Sequence, residues 1–175
     1  MVIIDEAYVD FGAESAAGLI AEFANLLVVR TYSKSRNLAG LRLGYALGQA
    51  NLVDGLQRIK NSFNSYPVDS LTEAIGLAAL ADDDYFQDCN RKVVASRERL
   101  TPALAELGFE VFPSSANFVF ARHSKKAAES IYLELKAAGI LVRYFKTPRI
   151  DDCLRITIGT DSECDALIDA LKKIL

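Results

Sequence analysis

Two short apolar runs near the start of the chain each stop at a cluster of groups capable of chemistry. Val2-Ile3-Ile4 ends at Asp5-Glu6, and Leu26-Leu27-Val28-Val29 ends at Arg30-Thr31-Tyr32-Ser33-Lys34. Continuous apolar runs of this length read as strands buried on both faces of a parallel sheet. A short helix predicted over 16–23 separates them, and Gly40 and Gly44 flank a third strand expected over 41–47. Strand alternating with crossover is the rhythm of an α/β fold. In open sheets of that kind ligands gather beyond the carboxyl ends of the strands. Both runs therefore deliver their polar residues to one edge.

The pattern then turns helical. Leu52, Leu56 and Ile59 repeat at helical spacing, Pro67 closes that segment, and helix signals resume over 70–80. A long helix is expected over 85–107 with Gly108 as its stop and a kink or break at Pro102. Strands follow at 109–112, 117–120, 140–143 and 154–158, with a helix over 125–138 stopped by Gly139. Asp161 reads as the N-cap of a last helix ending near Lys173. The later part is thus an α+β module, and the boundary is placed at 66/67, giving domains 1–66 and 67–175.

Whole-chain properties exclude several functions. The formal net charge is -3 over 175 residues, which offers no general attraction to nucleic acid or an anionic membrane. No apolar run spans a bilayer and the N-terminus does not read as a signal peptide, so a cytoplasmic location is expected. Cys89, Cys153 and Cys164 lack CxxC spacing and read as thiols without a role. His123 is the one histidine, so a histidine-based zinc site is not expected, and it reads as a surface-loop residue.

The first edge collects a carboxylate (Asp5), a phenol (Tyr8), an amine (Lys34), a hydroxyl (Ser33) and a guanidinium (Arg42). Acids after an apolar strand also occur in P-loop nucleotide hydrolases, but no glycine-rich phosphate loop precedes Asp5. The set does match what pyridoxal phosphate demands: an amine for the aldehyde, a carboxylate for the pyridine nitrogen, and a hydroxyl and a planar cation for the phosphate.

Here a family resemblance enters. The segment from Asp5 to Tyr8 resembles the Asp-x-x-Tyr element of fold-type-I pyridoxal-phosphate aminotransferases, and the segment from Arg30 to Tyr45 resembles their Ser-Lys and Gly-x-Arg-x-Gly signature. The histidinol-phosphate branch is the most similar. Ala116-Asn117-Phe118 and the stretch from Cys153 to Thr160 resemble its small domain. The resemblance implies an α/β architecture: the last strands of a mixed or parallel large-domain sheet, then a C-terminal α+β small domain. It implies Lys34 as the Schiff-base lysine and catalytic proton carrier, and Asp5 on the ring nitrogen. It also implies Tyr8 on the ring oxygen, and Ser33 and Arg42 on the phosphate. Arg155 matches the arginine that holds the substrate carboxylate, and Arg143 resembles one that helps hold a substrate phosphate. Asn117 reads equally as a substrate contact and as a strand-start residue. Arg36 stands where the family often has a small or apolar residue.

The implied substrates are small: an amino acid or amino-alcohol phosphate and a 2-oxo acid, used by a homodimer. Family members carry much of the large domain ahead of the Asp5 strand. That comparison leads us to expect an unpaired edge, an uncovered apolar face and weak or no turnover by this chain alone. Two other readings stay open: a related decarboxylase of phosphorylated amino acids, and an inert module that folds or pairs without catalysis.

Overall fold

A computed structural model describes residues 1–175. The chain forms two compact units, Met1–Asn90 and Arg91–Leu175. Residues 66 and 67, where the sequence reading put its boundary, lie inside the first unit.

The first unit holds strands β1 (Val2–Asp5), β2 (Leu26–Thr31) and β3 (Gly44–Gly48) and helices α1 (Ala50–Phe63) and α2 (Ser70–Ala81). Its sheet has the order β1-β2-β3. β1 runs parallel to β2, with Val2 opposite Leu26 and Asp5 opposite Val29. β2 is buried as expected, with Leu26, Leu27 and Val28 at most 4% exposed. β1 corrects the expectation of a buried strand. It lies at the sheet edge with β2 alone beside it, and Val2 and Ile3 are 51% and 56% exposed.

β3 is a second correction to the strand-and-crossover rhythm, because it pairs antiparallel with β2. The connection over 32–43 contains only a short 3-10 turn, Ala39–Leu41, and a parallel return needs a longer crossover, usually a helix. The sheet is therefore mixed. The helix expected over 16–23 is a 3-10 turn, Ala16–Ala21, capped by Ser15. Asp69 caps α2 by accepting from the amides of Leu71 and Thr72. At Gly76 of α2 an added Cβ would stand 2.7 Å from the Leu43 side chain, so the missing side chain permits close packing there. Apolar side chains stay open on both helices: Phe63, Leu71 and Leu77 are exposed.

The long helix α3 (Asp83–Glu106) runs without a break through Pro102. It is followed by β4 (Phe109–Val111), β5 (Phe118–His123), α4 (Ala128–Ala137), β6 (Arg143–Tyr144), β7 (Cys153–Thr157) and α5 (Asp161–Ile174). The second sheet has the order β4-β5-β7-β6 and is antiparallel throughout. Alternation along its strands defines two faces. Val119, Ala121, Leu154 and Ile156 turn to a core shared with Leu100 and Leu104 of α3, Ile131 and Leu135 of α4, and Leu167 and Leu171 of α5. The opposite face carries Phe118, Phe120 and Arg155, which are only partly buried.

α5 is capped by Thr160 rather than Asp161. The Thr160 hydroxyl accepts from the Glu163 amide while the Glu163 carboxylate accepts from the Thr160 amide, a reciprocal capping box. Asp161 instead accepts from Ser96 and Arg99 of α3. His123 is also corrected. Its Nδ1 accepts from the amides of Lys126 and Lys125 at 2.9 and 3.3 Å, Nε2 lies 3.1 Å from the Leu107 carbonyl oxygen, and the ring packs edge-on to Phe109. It is a structural clasp between a strand end and the turn at Gly108, whose φ is +88°.

Candidate active site

In the first unit, Asp5 closes β1 and its Oδ1 accepts from the Ala7 amide at 2.9 Å. That bond turns the chain sharply and leads directly to Tyr8. Beyond β2, Ser33 and Lys34 begin a loop whose neck is tied by the Tyr32 amide donating to the Leu43 carbonyl at 3.0 Å. The antiparallel register pairs Thr31 with Gly44. The ladder ends there, because the Tyr32 carbonyl accepts from the Leu38 amide instead. Ser33, Lys34 and Arg42 therefore share one short loop between adjacent antiparallel strands.

The loop backbone is unusual at two points. Arg42 has φ +53° and Asn37 φ +58°, left-handed values rare outside glycine. Arg42 Nη1 donates to the Ala39 carbonyl at 2.9 Å, which holds the exposed guanidinium close to its own loop. Gly44 is required by contact: a Cβ there would sit 2.9 Å from the Arg30 carbonyl oxygen.

Lys34 is half-buried, and its Nζ lies 5.5 Å from the centre of the Tyr8 ring. It forms no ion pair, so its nitrogen is not committed to a carboxylate. Asp5, Tyr8, Ser33, Lys34 and Arg42 all belong to the first unit, on the turn after β1 and the loop between β2 and β3.

A buried polar network that the sequence reading overlooked supports these two segments. The Glu6 carboxylate, 6% exposed as a residue, accepts from the Ala16 amide at 2.6 Å, from Ser15 Oγ at 2.9 Å and from Arg30 Nε at 2.9 Å. Burial pushes its carboxyl upward, but the Ala16 amide, the Ser15 hydroxyl and Arg30 outweigh that and hold it below the usual range. Arg30 Nη2 also donates to Ser15 Oγ at 2.8 Å. Ser35, 3% exposed, donates to Asp10 Oδ2 at 2.5 Å. The available signal was a second acid after Asp5 and an arginine ending a fully apolar strand, since charges placed beside a core require partners. Arg36 stacks 4.0 Å from the Phe86 ring centre and donates to the Ala79 carbonyl near the end of α2.

The remaining candidates belong to the second unit. Arg143 and Arg155 are direct cross-strand partners on β6 and β7 and so share a face. Both guanidinium groups lie near the Phe145 ring, at 5.2 and 5.9 Å, and Arg155 also lies 5.3 Å from Phe118. Arg155 Nε is buried without a hydrogen-bond partner. Two adjacent cations on aromatic rings, one with an unfilled donor, suit an anionic ligand. Asn117 sits just before β5, and its carbonyl accepts from the Ile158 amide at 2.9 Å.

The first unit thus joins a mixed sheet to a lysine, without an ion pair, beside a tyrosine ring. The chain belongs to the aminotransferase class I and II family, whose model matches residues 1–171. It is 54% identical over its full length to histidinol-phosphate aminotransferase 1 of Bradyrhizobium diazoefficiens, covering 50% of that protein. Among solved structures it resembles the histidinol-phosphate aminotransferase of Sinorhizobium meliloti in complex with pyridoxal-5'-phosphate. There the TM-score is 0.86 and the identity 30%, covering 99% of this chain and 48% of that one. It also resembles L-threonine-O-3-phosphate decarboxylase of Porphyromonas gingivalis, with TM-score 0.81 and 25% identity, covering 98% and 54% of the two chains. The chain spans about half the length of the curated relatives it matches.

Proposed function

We propose that this chain carries the cofactor lysine and substrate arginines of a pyridoxal-phosphate aminotransferase of the histidinol-phosphate type. One observation carries the reading: the Lys34 amine, free of any ion pair, lies 5.5 Å from the centre of the Tyr8 ring, and Ser33 and Arg42 share its loop. The donor set fits the group, offering an amine for an aldehyde, a carboxylate for a pyridinium, and a hydroxyl and a guanidinium for a phosphate.

When bound, pyridoxal phosphate supplies an electrophilic carbonyl carbon and an electron-accepting ring. Lys34 contributes a nucleophilic amine and then a base that moves a proton at Nζ. Asp5, acceptor-only when ionised, would hold a proton on the ring nitrogen. Tyr8 would donate from its hydroxyl to a ring oxygen, and Ser33 and Arg42 would hold the phosphate. In the second unit Arg155 holds a substrate carboxylate, Arg143 a substrate phosphate, and Asn117 orients the substrate. The substrates are an amino-alcohol phosphate of the histidinol type and 2-oxoglutarate. The working enzyme is a cytoplasmic homodimer, with no nucleic-acid or membrane partner and no metal. We read 1–66 as part of its cofactor domain and 67–175 as the small domain with connecting helices.

The test is titration of the purified protein with pyridoxal phosphate, borohydride reduction and peptide mapping. Label on Lys34 supports the reading; label spread over surface lysines, or none, refutes it. The likeness to the threonine-phosphate decarboxylase keeps one second reading alive, and release of CO2 from a phosphorylated amino acid would select it.

A further inference from the structure

The Lys34 amine contacts little, yet the residue after it is among the most buried polar groups in the chain. Ser35 is 3% exposed and donates to Asp10 Oδ2 at 2.5 Å. Asp10 lies in the 3-10 turn Val9–Phe11, two residues beyond Tyr8. The bond therefore joins the segment that carries the phenol to the loop that carries the amine, one residue from Lys34 and two from Tyr8.

The acceptor side is itself fixed. Asp10 Oδ1 lies 3.9 Å from Arg30 Nη1, and Arg30 is held by Glu6 and Ser15. On its other side the loop is held by Arg36, through the Ala79 carbonyl and the Phe86 ring. The amine at Lys34 thus projects from a backbone clamped by both following residues. Its 5.5 Å separation from the Tyr8 ring depends on how closely the two segments approach.

We propose that Ser35 and Asp10 are positioning residues that set the Lys34 amine against Tyr8. The functional meaning rests on the reading of Lys34 as the cofactor amine; the positioning itself does not. A part-buried, charge-assisted hydrogen bond restricts the segments it joins, and its loss lets them open.

The experiment compares the parent protein with Ser35→Ala, Asp10→Ala and Asp10→Asn. An amine-reactive ester acylates lysines without cofactor, and mapping gives the rate at Lys34 relative to Lys146, whose side chain is 84% exposed. Ser35→Ala and Asp10→Ala are expected to raise the relative rate at Lys34 by ~5-fold, as loss of one such bond allows. Asp10→Asn keeps an acceptor oxygen but loses the charge, so its rate should fall clearly between those of the parent and Asp10→Ala. Melting temperatures are read in parallel. If the alanine variants melt lower but Lys34 acylates as in the parent, the bond is merely structural and the proposal is overturned. The proposal also fails if Asp10→Asn behaves like Asp10→Ala. Borohydride trapping of pyridoxal phosphate is read on the same proteins. An unlabelled parent refutes the cofactor reading alone, while the acylation ratio still decides the positioning. A labelled parent predicts a ~5-fold higher half-saturating concentration in both alanine variants.

Discussion

Replacing Glu6 by Gln isolates the charge in the network beneath the site. The shape is kept, but the contacts from the Ala16 amide and Ser15 become neutral ones, and the contact from Arg30 loses its opposite charge. Hydrogen bonds to charged groups contribute roughly twice as much as neutral ones, so each contact weakens by about 1 kcal/mol. One face of the new amide also presents N–H to donors. Arg30 softens the loss, because its side chain is 22% exposed and Asp10 lies within 3.9 Å. The total is about 3 kcal/mol, below the upper range for breaking a buried pair. The readout is amide exchange at Ala16 and along β2, which reports local opening of the first unit without involving the second. At neutral pH protection should fall about 100-fold, since 1.4 kcal/mol is tenfold. The pH sign follows from the Glu6 carboxyl being lowered in the folded state. Its contribution is present above the unfolded value of about 4.3 and disappears as pH falls through the folded value. The gap between parent and variant should therefore close in acid. Equal protection at neutral pH, or a gap that persists in acid, would refute this account.

Lys34→Ala should remove the trapped cofactor label while changing the melting temperature little, because the side chain gives up one cation–π contact of about 0.5–1 kcal/mol. Ile131→Ala, at a fully buried position, should cost the second unit about 2–5 kcal/mol in urea unfolding with an unchanged slope. Thiol titration at neutral pH should modify Cys89 first. Cys153 and Cys164 are each 3% exposed, and burial with the Asp152 carboxylate pushes Cys153 up to about 11, so both should react only on unfolding.

Much of the fold was legible in the sequence because helix signals are local. Gly108 and Gly139 mark ends that the structure retains, and α2 begins where the sequence placed it. Strand context was not local. Val2-Ile3-Ile4 has the composition of a buried strand, but burial depends on neighbours, and β2 is its only sheet partner. The direction of β3 was hidden for a similar reason: connection length and content over 32–43 decide it, not the residues of the strand. Candidate residues with distinctive chemistry and spacing stood out, whereas Glu6, Asp10, Arg30 and Ser35 did not. Each resembles an ordinary surface residue until the turns bring them together.

The antiparallel return from β2 to β3 also constrains which lengths of chain this region tolerates. Successive strand residues point to alternate faces. Deleting one residue from 44–48 would turn the rest of β3 over against β2. Length changes confined to 37–40, inside the closed loop, leave the strand register intact. Indel tolerance should therefore be high at the loop crown and abruptly absent at its two shoulders, a boundary that a deletion scan would draw to single-residue accuracy.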